Sequence, residues 1–409
     1  MRIQRTLPPA AAPALFRDLW YGLVGFFFEG RSIRRFEKEI KEYFGVKYVF
    51  PVSSGKAALV LILRGLKSLS SRSEVVIPAY TCFSVPSAVR KAGLKVSLCD
   101  VDPRTFDFDR QLLKEAITES TLCVIPSHLF GIPSDMDEVN RLAKLRGAYV
   151  VEDVAQAMGG SDRGRKLGTL GDAGFFSFGR GKNITCGSGG MIVTDSKVIA
   201  DAIAGHDADL QAPGMLETWK EFLEMALMMV FVHPMVYWFP GGLPFLKLGQ
   251  TIYHQNFPIK KLSGMKVGLM RKWKVRLEQS NRKRCATGRD FCDRLRRPDF
   301  AGPAVPYLRF PVLVDSRETR DRIYALSQAR GLGISQMYPS PIHEVPEIQE
   351  AFQDRSFPGA AEIARRLLTL PTHPLVSERD KEAIIALFDG TVHLEVDQST
   401  AKGKAPVHC

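Results

Sequence analysis

The chain has 409 residues, 45% of them hydrophobic and 24% charged, with a formal net charge of +12; that length admits a large domain plus a smaller one, and the composition is that of a globular protein rather than a disordered one. The seven cysteines, Cys82, Cys99, Cys123, Cys186, Cys285, Cys292 and Cys409, form no Cys-x-x-Cys pair and are odd in number, which fits a reducing cytoplasm better than a disulfide scaffold. No apolar run reaches membrane-spanning length, the N-terminus lacks a signal-peptide core, and the basic clusters at 31–35, 271–276 and 282–284 lack the interleaved aromatics of a nucleic-acid platform, so no nucleic-acid partner is expected.

Residues 1–13 are rich in Pro and Ala and read as an extended arm, followed by an aromatic stretch, LFRDLWYGLVGFFF, so that 1–30 forms an N-terminal arm and aromatic segment. Ile33, Phe36, Ile40 and Phe44 recur at helical spacing and Gly45 ends the helix. Strands are expected at 48–52, 74–77, 95–99, 122–126, 148–152, 174–178 and 190–194, with helices between most of them, as at 57–66, 85–92 and 136–145. That alternation predicts an α/β fold whose mostly parallel sheet is covered by helices on both faces, a large domain over 31–270. Residues 213–250 interrupt it with apolar runs around His233-Pro234. They read as a helical hairpin that packs on its own subunit or a partner, or as an interfacial segment that touches a membrane. A long basic helix is expected over 265–297, its part at 271–297 linking to a smaller C-terminal α/β domain over 298–395. That domain would carry strands at 308–314 and 334–337 and helices at 319–330, 360–368 and 378–388; 396–409 reads as a flexible tail.

Four constellations fall where strands end or helices begin. Ser53-Ser54-Gly55-Lys56 follows a strand and opens a helix, a pattern suited to a phosphate and equally to any capped helix. Asp153 ends a buried run, where a carboxylate either caps a helix or holds a protonated ring nitrogen. Lys182 lies between strands in glycine-rich chain, GDAGFFSFGRGKNITCGSGG, where glycine lets backbone approach a ligand and burial turns an amine into a nucleophile. The alternative is a surface lysine between ordinary turns. His254-Gln255-Asn256-Phe257 precedes the long helix.

SSGKAAL, IPAYTCFSVPSAVRKAG, CDVDPRTFDFD, SHLFGIPSDMD, VEDVAQAMGG, the Lys182 segment and LPTHPL occur in that order, and together the chain resembles the DegT-type (DegT/StrS group) sugar aminotransferases, enzymes of fold-type I that use pyridoxal 5'-phosphate. The resemblance covers roughly residues 30 to 390. It implies that Lys182 carries the cofactor as a Schiff base, that Asp153 partners the pyridinium nitrogen, and that Gln156 lies beside the ring's phenolic oxygen. Gly55, Lys56 and Ser177 match the phosphate cradle, and Asn256 matches an asparagine that reaches the neighbouring subunit's phosphate, so a homodimer with shared active sites is implied. Tyr338 and His343 are candidate substrate residues. Relatives with histidine in place of the lysine act as dehydratases, so Lys182 favours transamination from an amino acid donor, glutamate by resemblance, to a keto- or aldehydo-sugar, nucleotide-linked as in most relatives, in surface polysaccharide or amino-sugar biosynthesis.

Three positions depart from the family pattern. Lys56 replaces a Thr or Ser, Cys82 replaces the aromatic that stacks on the cofactor ring, and Ser188 replaces the Glu of a Gly-Glu-Gly-Gly signature. Rival readings are a dehydratase or epimerase using the same cofactor, an aminotransferase acting on a membrane-proximal lipid-linked substrate, and a degenerate binding protein. No metal is expected; the location expected is the cytoplasm, with membrane association left open. His128 and His373 read as satisfied buried histidines.

Overall fold

The alternating apolar segments pair into a single seven-stranded sheet. The computed structural model describes residues 4–12, 14–243, 246, 252–296 and 305–389; the tail expected at 396–409 and Cys409 lie outside them. The strands are β1 (Tyr48–Val52), β2 (Glu74–Pro78), β3 (Lys95–Cys99), β4 (Thr121–Val124), β5 (Tyr149–Asp153), β6 (Ala173–Ser177) and β7 (Gly190–Thr194). Their spatial order is β1-β7-β6-β5-β4-β2-β3. Only β7 is antiparallel to its neighbours, β1 and β6; the remaining pairs are parallel. β4 and β7 are buried along their whole length, as strands covered on both faces must be.

Helices α1 (Phe16–Phe27), α2 (Glu29–Phe44), α3 (Gly55–Leu69), α4 (Ser84–Lys91), α5 (Arg110–Ala116), α6 (Met136–Leu145) and α7 (Lys197–Ala208) supply the covering layers. On α2 the residues Ser32, Phe36, Ile40 and Phe44 form the buried face, and Gly45 closes the helix at φ 73°, a left-handed conformation that costs glycine little. α3 is buried continuously from Ala57 to Leu63, and the Ser54 hydroxyl caps it by accepting from the Ala57 N–H at 3.1 Å.

Within the segment read as 213–250, the described residues form α8 (Met215–Phe231), a turn and a short α9 (Trp238–Gly241). The long helix expected over 265–297 is two: α10 (Gly264–Leu269) and α11 (Trp273–Arg294). The break has a packing cause. A Cβ on Gly25 of α1 would come 2.2 Å from the Gly264 carbonyl oxygen and 2.8 Å from Gly268 Cα, so α10 is fixed backbone-to-backbone against α1. The chain then turns to bury Trp273, whose Nε1 donates to Glu39 at 2.9 Å.

The C-terminal part carries β8 (Arg309–Leu313), α12 (Arg317–Arg330), α13 (Pro358–Arg366), β9 (Leu367–Pro371) and α14 (Glu378–Ile385). β8 and β9 pair antiparallel from Arg309↔Pro371 to Leu313↔Leu367. The helix expected over 360–368 therefore stops at Arg366, where the wholly buried β9 begins. The strand expected at 334–337 is reduced to a bridge, Ser335↔Thr369, because positive φ at Gly333 and Tyr338 bends the chain on either side. This part is joined to the main sheet at strand ends. Ile342 N–H donates to the Ala79 carbonyl at 2.8 Å, and Asp100 caps α13 by accepting from Gly359 and Ala360 N–H at 2.8 and 2.9 Å.

The arm has no regular secondary structure over 4–12, yet Leu7 and Ala11 are buried. Thr6 N–H donates to Pro234, Leu7 N–H to Gly331, and Arg284 Nη2 to Ala11, each at 2.8 Å.

Candidate active site

Strand ends bring together residues that are far apart in sequence. Glu152 and Asp153, adjacent on β5, point to opposite sides of the sheet and do different work. Glu152 is fully buried and accepts from Gly168 N–H at 2.8 Å, Leu170 N–H at 2.5 Å and Gly171 N–H at 2.8 Å. His128 Nε2 donates to it at 3.0 Å, while His128 Nδ1 accepts from Ser134 N–H at 3.1 Å. His128 is thus a satisfied core histidine that helps hold the turn ahead of β6.

Asp153 faces the other way. It is 6% exposed, accepts from Ala155 N–H at 3.0 Å and lies 3.5 Å from the Ser127 hydroxyl, which in turn is 3.4 Å from Thr81 Oγ1. Burial pushes its carboxyl above the usual range, opposed by the Ala155 amide, Lys182 and His128. Burial pushes the Lys182 amine below its usual range; Cys82 and Asp153 oppose that shift and Arg309 adds to it. Burial thus disfavours the charged form of both the half-buried Lys182 and the buried Asp153, while each favours the other's charge.

Gln156 lies one turn beyond. Its Nε2 donates to Tyr338 Oη at 2.8 Å and its Oε1 accepts from Phe130 N–H at 3.1 Å. Tyr338 is 3% exposed at φ 50°, a left-handed conformation that a tyrosine rarely adopts. Its ring stacks with Phe83, centroids 6.4 Å apart. Cys82 acts electrostatically on both Tyr338 and Lys182, and its Sγ contacts Ser84 Oγ at 3.3 Å. The aromatic rings beside Cys82 are thus those of Phe83 and Tyr338.

Gly55 opens α3 against β6: a Cβ there would meet Ser177 Cβ at 3.0 Å. A Cβ on Gly190 would meet the Ser54 carbonyl carbon at 2.6 Å and the Gly55 nitrogen at 2.7 Å. The Gly190 contact requires glycine, the Gly55 contact is tight, and together they pack Ser177 beside the Gly55 and Lys56 amides of the helix start. Lys56 is half-buried, its Nζ 4.3 Å from the centre of the Phe257 ring, and burial lowers its pKa. Ser188 accepts from Lys266 Nζ at 2.7 Å. Asn256 is exposed, in a segment whose His254 carbonyl accepts from Ser87 Oγ.

Other candidates lie apart from the Lys182–Asp153 pair. His343 packs on the Phe357 ring at 5.0 Å, with Glu344 at 3.8 Å; the 3-10 turn Ile342–Glu344 carries it that way. His373 is buried and its Nε2 donates to the Pro8 carbonyl at 2.8 Å. A 630 Å³ cavity lined in part by Arg90, Lys95, Glu347 and Arg355 adjoins the amino-terminal ends of β2 and β3, opposite the strand ends used here.

Arg309 was not singled out from sequence. It opens β8, its Nη1 donates to Ser335 Oγ at 2.7 Å, and its buried Nε has no hydrogen-bond acceptor. It acts electrostatically on Lys182, Tyr338 and Tyr237. The signal was an arginine heading an otherwise apolar strand, Arg-Phe-Pro-Val-Leu. No group of His, Cys, Asp or Glu suited to a metal ion occurs among the described residues.

These residues fit pyridoxal phosphate. A buried acid can hold a ring nitrogen's proton, a buried amine can condense with an aldehyde, and amides at a helix start framed by glycine contacts can take a phosphate. The comparisons agree. Over 171 residues the chain is 39% identical to GDP-perosamine synthase of Caulobacter vibrioides, covering 42% of this chain and 46% of that enzyme. The chain thus spans about half the length of the first curated relatives that it matches. Over 374 residues it is 27% identical to the spore coat polysaccharide biosynthesis protein SpsC of Bacillus subtilis, covering 88% of this chain and 90% of that protein. A crystal structure of an aminotransferase from Brucella abortus superimposes with a TM-score of 0.70 at 23% identity, covering 91% and 95% of the two chains, which establishes a common fold. Residues 23–229 and 294–389 match one family model, and the chain accordingly belongs to the DegT/DnrJ/EryC1/StrS aminotransferase family.

Proposed function

We propose that this protein is a pyridoxal-phosphate-dependent aminotransferase that moves an amino group from an amino acid, glutamate in the simplest case, to a keto- or aldehydo-sugar carried on a nucleotide. The observation that carries the reading is a half-buried Lys182 within electrostatic reach of the buried Asp153, in a chain of this family. When bound, pyridoxal phosphate supplies an aldehyde for an amine to condense with and an electron-poor ring that takes up charge from a deprotonated carbon. Lys182 Nζ, whose pKa burial lowers, would be the amine that condenses with that aldehyde, and it would take the proton from the donor's α-carbon and hand it to the former aldehyde carbon. Asp153 holds the ring nitrogen's proton, and in doing so gains the cationic partner that its burial otherwise denies it. Ser177 and the Gly55 and Lys56 amides would take the phosphate, with the Lys56 side chain as a nearby positive charge. Gln156 and Tyr338, tied to each other, would line the cofactor's pocket. Arg309, with an unused N–H beside Lys182, takes the donor's carboxylate.

The exposed Asn256 supports a homodimer in which each subunit completes the other's phosphate site. The domain limits read from sequence, 31–270 and 298–395, stand as part of the same proposal.

The test is a spectrum. Wild-type protein loaded with pyridoxal phosphate should absorb in the visible, bleach with glutamate while forming 2-oxoglutarate, and recover its colour with a suitable keto-sugar. Lys182→Ala should lack the lysine-dependent band and turnover. A Lys182→Ala spectrum identical to wild type overturns the assignment. A coloured wild type that never yields 2-oxoglutarate from glutamate favours a dehydratase or epimerase instead.

A further inference from the structure

The outer faces of α1 and α8 are apolar at helical spacing. On α1, Phe16, Trp20 and Phe27 are 70%, 66% and 73% exposed. On α8, Leu216, Trp219, Leu223, Leu227 and Val230 form a stripe separate from the face that buries Thr218, Met225 and Met229. The two helices join through Phe26 and Trp219, whose ring centroids are 5.7 Å apart. The result is a single apolar face, larger than scattered exposed residues would give.

The charges around it are mostly positive, with the exposed Glu29 at the start of α2, held by the Gly264 N–H, as the exception. Each acid on α8 is already neutralised: Glu217 by Lys260, Glu221 by Lys266 and Glu224 by Arg180. On α1 the one acid, Asp18, is buried against Arg276 at 3.2 Å. The exposed Arg17 and Lys220 lie on the same helices, and exposed Arg31 and Arg34 follow on α2. Arg271 lies over the Tyr21 ring of α1 at 5.1 Å, bringing the exposed Arg271-Lys272 pair to the rim. Trp, Phe and Leu bordered by unpaired cations match an anionic lipid headgroup layer better than another protein of this net charge. No helix among the described residues is long and apolar enough to cross a membrane, so contact here is peripheral.

We propose that the α1–α8 face docks the protein on an anionic lipid bilayer. The face is tied to the loop that carries Lys182. Arg180, two residues before it, pairs with Glu224, and Ser188, beyond it, is bonded to the Lys266 that pairs with Glu221. Docking would therefore set the Lys182 loop close to the lipid surface. The proposal does not rest on the aminotransferase reading, since its test reads binding rather than turnover.

The full-length protein would be sedimented with phosphatidylcholine vesicles, with and without phosphatidylglycerol. Binding is expected with phosphatidylglycerol, at least about tenfold weaker without it, and falling as salt rises. Leu216→Glu combined with Leu223→Glu should weaken binding about tenfold or more while leaving the melting temperature in place, since both side chains already face solvent. Arg17→Gln with Lys220→Gln should flatten the salt dependence. The proposal is overturned if the intact protein stays in the supernatant with anionic vesicles, or if it binds both vesicle types equally. It also fails if the leucine substitutions leave binding unchanged, or if they halve the mass measured by light scattering, which would make a second copy of this chain the occupant.

Discussion

Gln156 Nε2 donates to Tyr338 Oη at 2.8 Å, a bond between residues 182 positions apart in sequence, buried at both ends. It joins the loop beyond β5 to the C-terminal part of the chain at the side of the site. Tyr338→Phe leaves a buried amide N–H without its acceptor, so a stability loss of about 1–3 kcal/mol is expected. A double-mutant cycle with Gln156→Ala, read by urea unfolding, should give a coupling of at least about 0.5 kcal/mol. Strictly additive losses would mean that the bond contributes nothing.

Arg309 has a buried N–H without an acceptor, and a guanidinium in that state awaits an anion. Arg309→Gln should raise the KM for the amino donor roughly 10- to 100-fold, the effect of one charge-assisted bond, with a much smaller change for the sugar. Arg309→Lys should not restore it, because an ammonium lacks the planar pair of donors. Thermal stability should change little in Arg309→Gln, which removes a guanidinium whose buried Nε has no acceptor at the cost of one bond to Ser335. Equal KM values for the donor in wild type and Arg309→Gln would place the donor's carboxylate elsewhere.

Shared active sites can be tested by mixing two inactive proteins. If Asn256 serves the partner's site, Asn256→Ala and Lys182→Ala are each weak alone. A heterodimer of the two contains one site with both native residues, and a random 1:1 mixture should recover roughly a quarter of wild-type activity. An Asn256→Ala enzyme that is fully active by itself sinks this arrangement.

His373 gives an acid-sensitive contribution to stability. Burial lowers its pKa to about 3, against an ordinary value of 6.5. Because the folded value lies below the unfolded one, the contribution is complete above about pH 6.5 and is lost as the pH falls toward about 3, where the folded protein finally takes the proton. Between about pH 6.5 and 5 the loss should be on the order of 1–2 kcal/mol. His373→Gln should flatten the pH dependence of urea unfolding over that interval; an unchanged slope would rule the histidine out as its source.

The sequence revealed the sheet because each strand is a short apolar run closed by a turn residue or a cap. β1, β3 and β7 fall where that pattern put them. Asp153, Ser177 and Lys182 stood out as candidates because each sits at or past the end of such a run, and Gln156 entered through the family resemblance. Long-range packing was not legible. Apolar periodicity continues through 270–272, and only the backbone contact of Gly25 with Gly264 and Gly268 shows why the helix breaks there. β9 was read as the end of a helix because Leu367 and Leu368 suit either conformation until β8 lies beside them. Arg309 stayed hidden because nothing in a linear string shows which guanidinium will be buried without a partner. His343 looked like a site residue by proximity to Tyr338, yet a 3-10 turn directs it to Phe357.

Glu152 gathers three amides and an imidazole one residue before Asp153. Side chains on a strand alternate, so inserting or deleting a single residue within β5 would exchange the faces on which the two acids lie. The turn would then lose its acceptor at the same moment as the pocket lost its acid. A change of chain length is therefore tolerable in the loops on either side of β5 but not inside it.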